Sequence, residues 1–387
     1  MGKKNIVLTG ATGFLGAFLL EGLLERGYRV IVLGRPAGET KLAERLTNLV
    51  RWLDIVPGDR LLPFEVDFAK QHLGLDEKKY AELCESTGKI IHCASDTSFA
   101  EHNRTRVEAA NVNSLSSLLE LAGDAHAEHF YYISTAYAAG VCQGLCRETP
   151  VGTARFTNVY EETKAKAEGM ISQSCAACGI PLAILRPSIV YGHSRSGKSL
   201  RFNALYYCVK SLMYIRDIFA KDIAGGGERS GKWGFRRDAD GAVYLPLAVW
   251  LPERGGINLI PVDYFVATTL AVLEAENSGG IYHITCDDPP DIPILINYAE
   301  RFLGIRGIRA VWGAPAKKEA ANPAEELFAK FIEQYRPYLS DRRVFDRSRI
   351  KRIAPNLSTP AFTYDIFERC MTYAIACDWG KMPGFPE

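Results

Sequence analysis

The chain has 387 residues, enough for two lobes, and its 46 basic and 45 acidic side chains leave a net charge of +1. That balance gives no electrostatic footprint for nucleic acid, and no run approaches the ~18 apolar residues that a membrane span needs. Ten cysteines in a chain this long do not read as a disulfide framework, and nothing in the first four residues resembles a secretion signal, so a reduced, soluble, cytoplasmic protein is expected, with peripheral membrane contact left open.

Apolar strand runs alternate with helical periods, the pattern of an α/β fold with a Rossmann-type doubly wound parallel sheet. Asn5–Thr9 reads as the first strand and Phe14–Arg26 as the first helix, stopped at Gly27. Val30–Leu33, Leu62–Val66, Ile90–Cys93, Phe130–Ile133 and Leu182–Leu185 are further short strands, with helices over Ala110–Ala122 and Tyr160–Ala177 between them. Near Tyr191-Gly192 the rhythm changes. Glycine, proline and charge clusters then surround an amphipathic piece, Phe202–Phe219, and an extended piece, Ala242–Leu251. Ile257–Ala275 and Ile281–Thr285 are expected to pack back on the sheet, and the tail from Pro289 reads as mostly helical. The expected division is a dinucleotide-binding domain over 1–193, with 257–286 packed onto it, and a smaller, mostly helical substrate-binding lobe over 194–256 and 287–387.

Between the first strand and first helix stands Thr9-Gly10-Ala11-Thr12-Gly13-Phe14-Leu15-Gly16. Glycines at Gly10, Gly13 and Gly16 allow a tight turn, a close backbone approach to a phosphate and close helix–strand packing. The helix start behind them favours an anion, which suits a dinucleotide pyrophosphate; the plainer reading is a turn with no ligand. The second strand ends Val32-Leu33-Gly34-Arg35 and offers no carboxylate for a ribose 2′-hydroxyl, whereas Arg35 can pair with a 2′-phosphate. NADP(H) is therefore expected over NAD, with Lys41 and Arg45 adding charge; the alternative is that Arg35 is a solvated strand end. Asp67, after the third strand, is placed to meet the adenine or to cap the next segment.

Tyr160 and Lys164 are four residues apart, on one face of a helix, and follow Thr135 by 25 residues. The ammonium, and the positive charge of an oxidised nicotinamide, favour the phenolate, so a Tyr160 pKa below its ordinary ~10 is expected, with Thr135 offering a hydroxyl to the same substrate oxygen. Such a set exchanges a proton with a carbonyl or alcohol oxygen. Cys142/Cys146 and Cys175/Cys178 are two close pairs, but only one has the short CxxC spacing, and no metal site is expected.

Residues 5 to about 290 resemble an extended short-chain dehydrogenase/reductase, and within it the thioester reductase and fatty acyl-CoA reductase branch, the male-sterility-like proteins. The segments that carry the likeness are Thr9–Gly16, Val66-Asp67-Phe68, Leu73-Gly74-Leu75-Asp76, Ile91-His92-Cys93-Ala94-Ser95, Asn111-Val112-Asn113 and Ser134-Thr135-Ala136-Tyr137. Later ones are Arg186-Pro187-Ser188-Ile189-Val190-Tyr191-Gly192 and Asn258-Leu259-Ile260-Pro261-Val262-Asp263-Tyr264. The resemblance implies Thr135, Tyr160 and Lys164 as catalytic. It implies cofactor contacts at Gly10, Thr12, Gly13, Phe14, Leu15, Gly16, Arg35, Asp67, Phe68, Ala94, Ser95, Lys164, Pro187, Ser188 and Ile189. The reaction implied is NADPH-dependent reduction of an acyl-CoA or a thioester on an acyl-carrier protein, to aldehyde or alcohol. Reduction of a steroid- or flavonoid-like ketone, epimerisation or dehydration of a nucleotide sugar, and a non-catalytic cofactor-sensing role stay open. So does a homodimer. Phe202–Phe219 is read as core, with an acyl tunnel or a membrane-facing surface as the alternatives.

Overall fold

The computed structural model describes residues 5–381 apart from Gln143, Thr153 and 314–321. Residues 1–4, read above for a leader, and the tail segments 314–321 and 382–387 lie outside the described residues.

Seven strands make one parallel sheet: Asn5–Thr9 (β1), Arg29–Gly34 (β2), Leu61–Glu65 (β3), Lys89–His92 (β4), His129–Ile133 (β5), Leu182–Pro187 (β6) and Gly280–Ile284 (β7). Their order is β7-β6-β5-β4-β1-β2-β3, all neighbours parallel. Strands covered on both faces must be apolar throughout, and the alternating side chains of β1 and β2 divide between two cores. Ile6, Leu8, Val30 and Val32 pack with helices Phe14–Glu25, Leu42–Leu53 and Val262–Glu274. Val7, Ile31 and Leu33 pack with helices Glu77–Ser86, Leu115–Asp124 and Val159–Cys178. The first helix stops where Gly27 turns to φ +78°, its N–H and that of Tyr28 returning to the Leu24 and Leu23 carbonyls. The strand order reverses between β1 and β4, which opens a crevice beyond their carboxyl ends. The Rossmann-type fold class holds.

A second core gathers helices Leu205–Ala224, Ile292–Leu303, Pro323–Ile332 and Tyr364–Ala376. With them goes a three-stranded sheet in which Val243–Leu251 pairs in parallel with Ile305–Trp312 and antiparallel with Arg236–Arg237. The strand at Ile305–Trp312 was not foreseen in the tail, since its partner lies far back in the chain and only tertiary pairing defines it. Among the described residues no helix is long and apolar enough to cross a membrane.

The tail returns to the main sheet's side through Val344–Phe345, which pairs with Leu145–Cys146. Cys142 and Cys146, their Cα atoms 6.5 Å apart, are joined as a disulfide there, which corrects the expectation of a wholly reduced chain. Cys175 is buried in the core beneath the sheet, with Cys178 exposed on the same helix, so the two cysteine pairs do not share a site.

One buried ion pair ties three elements together. Glu168, on the Val159–Cys178 helix, accepts from Arg186 Nε at 2.9 Å and Nη2 at 2.6 Å, and from the Ser134 hydroxyl beyond β5 at 2.5 Å. The Arg186 and Glu168 side chains are 1% and 5% exposed. Arg186→Ala should destabilise by about 3–5 kcal/mol, because it strands a buried carboxylate, and Glu168→Gln with Arg186→Met should recover much of the loss. Urea unfolding midpoints check this; an unmoved Arg186→Ala midpoint would mean that the pair holds nothing.

Candidate active site

The glycine turn sits at the mouth of the crevice. Gly10 has φ +73°, and a Cβ there would lie 2.6 Å from the Ala94 nitrogen, so the turn after β1 and the loop after β4 touch backbone to backbone. A Cβ on Gly16 would collide with the Gly10 carbonyl. Thr9, fully buried, fastens the same two loops: its hydroxyl lies 2.8 Å from His92 Nδ1 and accepts from the Cys93 and Ala94 N–H groups at 3.3 Å. Gly13 is the N-cap of the Phe14–Glu25 helix, which has no side-chain cap and no acidic residue in its first turn. Its positive end therefore faces the crevice uncompensated, as a pyrophosphate requires.

Arg35 is exposed at the end of β2. Arg45, half-buried on the Leu42–Leu53 helix, reaches back to it, donating from Nη1 to the Arg35 carbonyl at 2.9 Å and from Nη2 to Thr12 Oγ1 at 2.6 Å. Burial, and then the Arg35 charge, push the Arg45 pKa down. Two guanidinium groups beside the glycine turn make a place for an anion. Lys41 is the exposed N-cap of that helix and bonds nothing there through its side chain. Asp67 accepts from the Ala69 N–H at 3.0 Å and pairs with Lys70 at 3.5 Å, while the Phe68 carbonyl takes the Ser117 hydroxyl at 3.3 Å.

Tyr160, Lys164 and Glu168 form a stripe at helical spacing on the Val159–Cys178 helix, whose N-cap Asn158 accepts from the Glu161 N–H at 3.1 Å. Thr135, 4% exposed, follows β5, and its hydroxyl accepts from the Tyr137 N–H at 3.4 Å and lies beside the Tyr160 phenol. Lys164 is 1% exposed; its Nζ donates to the Ile133 carbonyl at 2.5 Å and lies 4.2 Å from the centre of the Tyr132 ring. Burial, with the neighbouring Cys93 thiol second, raises the Tyr160 pKa, and the Thr135 hydroxyl only partly offsets it. The ammonium is turned to the Ile133 carbonyl, so desolvation wins and the phenol stays protonated at neutral pH. Burial also lowers the Lys164 pKa to about 8, against Cys93 and Glu168, which hold it up.

Pro187 ends β6. The Ser188 N–H bonds to the Ile284 carbonyl at 3.0 Å and that of Ile189 to the Asn258 carbonyl at 3.2 Å. The buried Ser188 hydroxyl has no partner among the described residues. On the opposite side Ser95 lies against Asn111, hydroxyl to Oδ1 at 3.1 Å.

Two contributors, Glu161 and Tyr338, escaped the sequence reading, and a third, Asn111, stood there only within a family-like segment, with no role. Asn111, 2% exposed on a π-helical turn, accepts from the Asp96 N–H at 2.7 Å and donates to Thr163 Oγ1 at 3.0 Å, fixing the loop after β4 to the Tyr160 helix. The run Asn111-Val112-Asn113 inside a helical pattern was the available signal. Glu161, fully buried beside Tyr160, accepts from the Thr157 N–H at 2.9 Å and from the Tyr338 hydroxyl at 2.6 Å. Tyr338 itself arrives from the tail, stacking edge-on against Tyr137 at 4.8 Å, and no local pattern announces it.

The family described as "male sterility protein" matches residues 8–269. Fatty acyl-CoA reductase 1 of Mus musculus is 31% identical over 225 residues, covering 48% of this chain, and the chain spans only 43% of that relative. Among solved structures, the terminal R domain from the myxalamid PKS-NRPS biosynthetic pathway superposes with a TM-score of 0.74 at 22% identity, covering 100% of this chain and 93% of that one. UDP-glucuronic acid 4-epimerase from Bacillus cereus, solved in complex with NAD, gives 0.65 at 18% identity, with 98% and 99% covered. At these identities the structural likenesses speak for the fold alone.

The Lys164 site has a signed consequence. Its folded pKa near 8 lies below the ordinary 10.5, so between those values the unfolded chain binds more protons and stability rises with pH. Wild-type protein should gain stability relative to Lys164→Met from pH 8 to 10.5, read from urea midpoints. A flat or falling difference would mean that the ammonium is not desolvated by folding.

Proposed function

We infer from membership of the male sterility protein family, to which this chain belongs, that the protein reduces an acyl thioester with NADPH. The acyl group would arrive on coenzyme A or a carrier protein and leave as an aldehyde, or as an alcohol after a second round. The observation that carries this reading is the grouping of Thr135 at the end of β5 with Tyr160 and, one helical turn on, the buried Lys164, whose Nζ donates to the Ile133 carbonyl at 2.5 Å. The mouse relative's name supports the substrate class.

Gly10, Thr12, Gly13, Phe14, Leu15 and Gly16 would hold the pyrophosphate, Arg35 and Arg45 the 2′-phosphate, and Asp67 and Phe68 the adenosine. Ala94, Ser95, Pro187, Ser188 and Ile189 would flank the nicotinamide. Residues 1–193 with 257–286 then form the cofactor part, and 194–256 with 287–387 the substrate lobe. NADPH, when bound, supplies the hydride. Thr135 and Tyr160 donate to the thioester carbonyl oxygen, where negative charge grows. The Tyr160 proton moves to that oxygen as the new C–H bond forms, giving a hemithioacetal, and Lys164 would hold the nicotinamide ribose. The C–S bond then breaks as the hydroxyl proton returns to the Tyr160 phenolate, and the departing thiolate takes a proton from water.

With NADPH and acyl-CoA thioesters, cofactor oxidation and coenzyme A release should rise together, at one or two NADPH per thiol. Tyr160→Phe should cut both by about 10² or more. Oxidation of NADPH by ketones with no thiol released would make the protein a ketone reductase, and nucleotide-sugar interconversion without net oxidation an epimerase.

Arg35→Ala and Arg45→Ala should each weaken NADPH by about ten- to a hundredfold, the worth of a charge-assisted hydrogen bond, while NADH binding changes little. Equal losses for the two cofactors in a binding titration would assign these arginines to folding instead.

A further inference from the structure

A row of aromatic rings starts at Tyr160 and runs outward along the second core. Ring centres are 6.0 Å apart from Tyr160 to Phe99, 5.9 Å from Phe99 to Tyr335, and 5.9 Å from Tyr335 to Tyr207. The row continues from Tyr207 to Phe331 at 6.3 Å and from Phe331 to Tyr214 at 6.0 Å. Five elements contribute: helix Val159–Cys178, the loop after β4, the 3₁₀ turn Glu333–Tyr338, helix Leu205–Ala224 and helix Pro323–Ile332. Helix Leu205–Ala224 sends Val209, Leu212 and Ile215 into the second core, so the core reading holds for that face. Tyr207 and Tyr214, two turns apart, lie on another.

These rings are not packed as a core is packed. Phe99, Tyr207, Phe331 and Tyr335 are half-buried and Tyr214 is 55% exposed. A row of neighbouring, partly exposed aromatic rings that begins at Tyr160 offers apolar surface to a flexible alkyl chain. A nucleotide sugar would need partners for its diphosphate along the same path.

We propose that this row is the track of the substrate's acyl chain, and that Phe331 and Tyr214 at its outer end set the chain length preferred. The proposal rests on the thioester reading above and is tested apart from it. S-alkyl-coenzyme A thioethers from butyl to hexadecyl cannot be reduced, so their binding to the full chain with NADP⁺, measured by calorimetry, needs no turnover. Wild-type Kd should tighten with each added methylene, by up to about fourfold, the equivalent of ~0.8 kcal/mol. Phe331→Ala should stop that gain at intermediate lengths. Tyr214→Ala, at a largely exposed ring whose loss spares the fold, should stop it only for the longest chains, and Tyr214→Phe should restore it. A Kd independent of alkyl length in wild type, or the wild-type slope kept in both alanine variants, overturns the track. Length-dependent binding without thioester reduction keeps the track and removes the reductase reading.

Discussion

The buried contact between Glu168 and Arg186 is the joint around which the candidate site is built. Three backbone segments meet at it: the end of β5 through Ser134, the helix that carries Tyr160 and Lys164, and β6 just before Pro187. Thr135 follows Ser134 directly, and Lys164 and Tyr160 stand about one and two turns before Glu168 on the same helix. A pair so deeply buried contributes little net stability, because desolvating the charges offsets most of their attraction. What it supplies is position. An arginine fork accepts a carboxylate in one plane, and a strand and a helix locked that way cannot slide against each other without stranding a charge.

The same neighbourhood sets the protonation states. A lysine surrounded by protein loses hydration that Glu168 and the Ile133 carbonyl only partly replace, so its charge is held weakly. The phenol one turn before it is disfavoured as an anion for the same reason. Four residues on a helix put two side chains on one face, but the ammonium follows its own acceptor.

Local features of the fold were legible because each has a local cause. Strands β1, β2 and β5 are apolar throughout since both faces are covered, and Gly27 ends the first helix by its own backbone freedom. Gly10 and Gly16 could be picked out because no other residue fits against the Ala94 and Gly10 backbones. Arg186 stood only within a family-like segment just past the expected strand Leu182–Leu185, and its partner could not be named, since helix register alone does not say which carboxylate faces it. The strand Ile305–Trp312, the role of Tyr338 and the Cys142–Cys146 bridge were hidden for a related reason: pattern reading finds elements, and these depend on which elements meet.

The hydrogen bond from Tyr338 to Glu161 spans 177 positions of the chain. Synthesis runs from the amino end, so the sheet and the Tyr160 helix leave the ribosome long before Tyr338 exists. During that interval Glu161 lacks one of its two donors, and a carboxylate meant for a dry niche must stay hydrated, holding open the start of the helix. The parallel sheet can therefore form early, while the corner at Tyr160 is closed only when the last quarter of the chain has folded back. A nascent chain built this way is finished in two stages, and the order is written into the distance between two side chains.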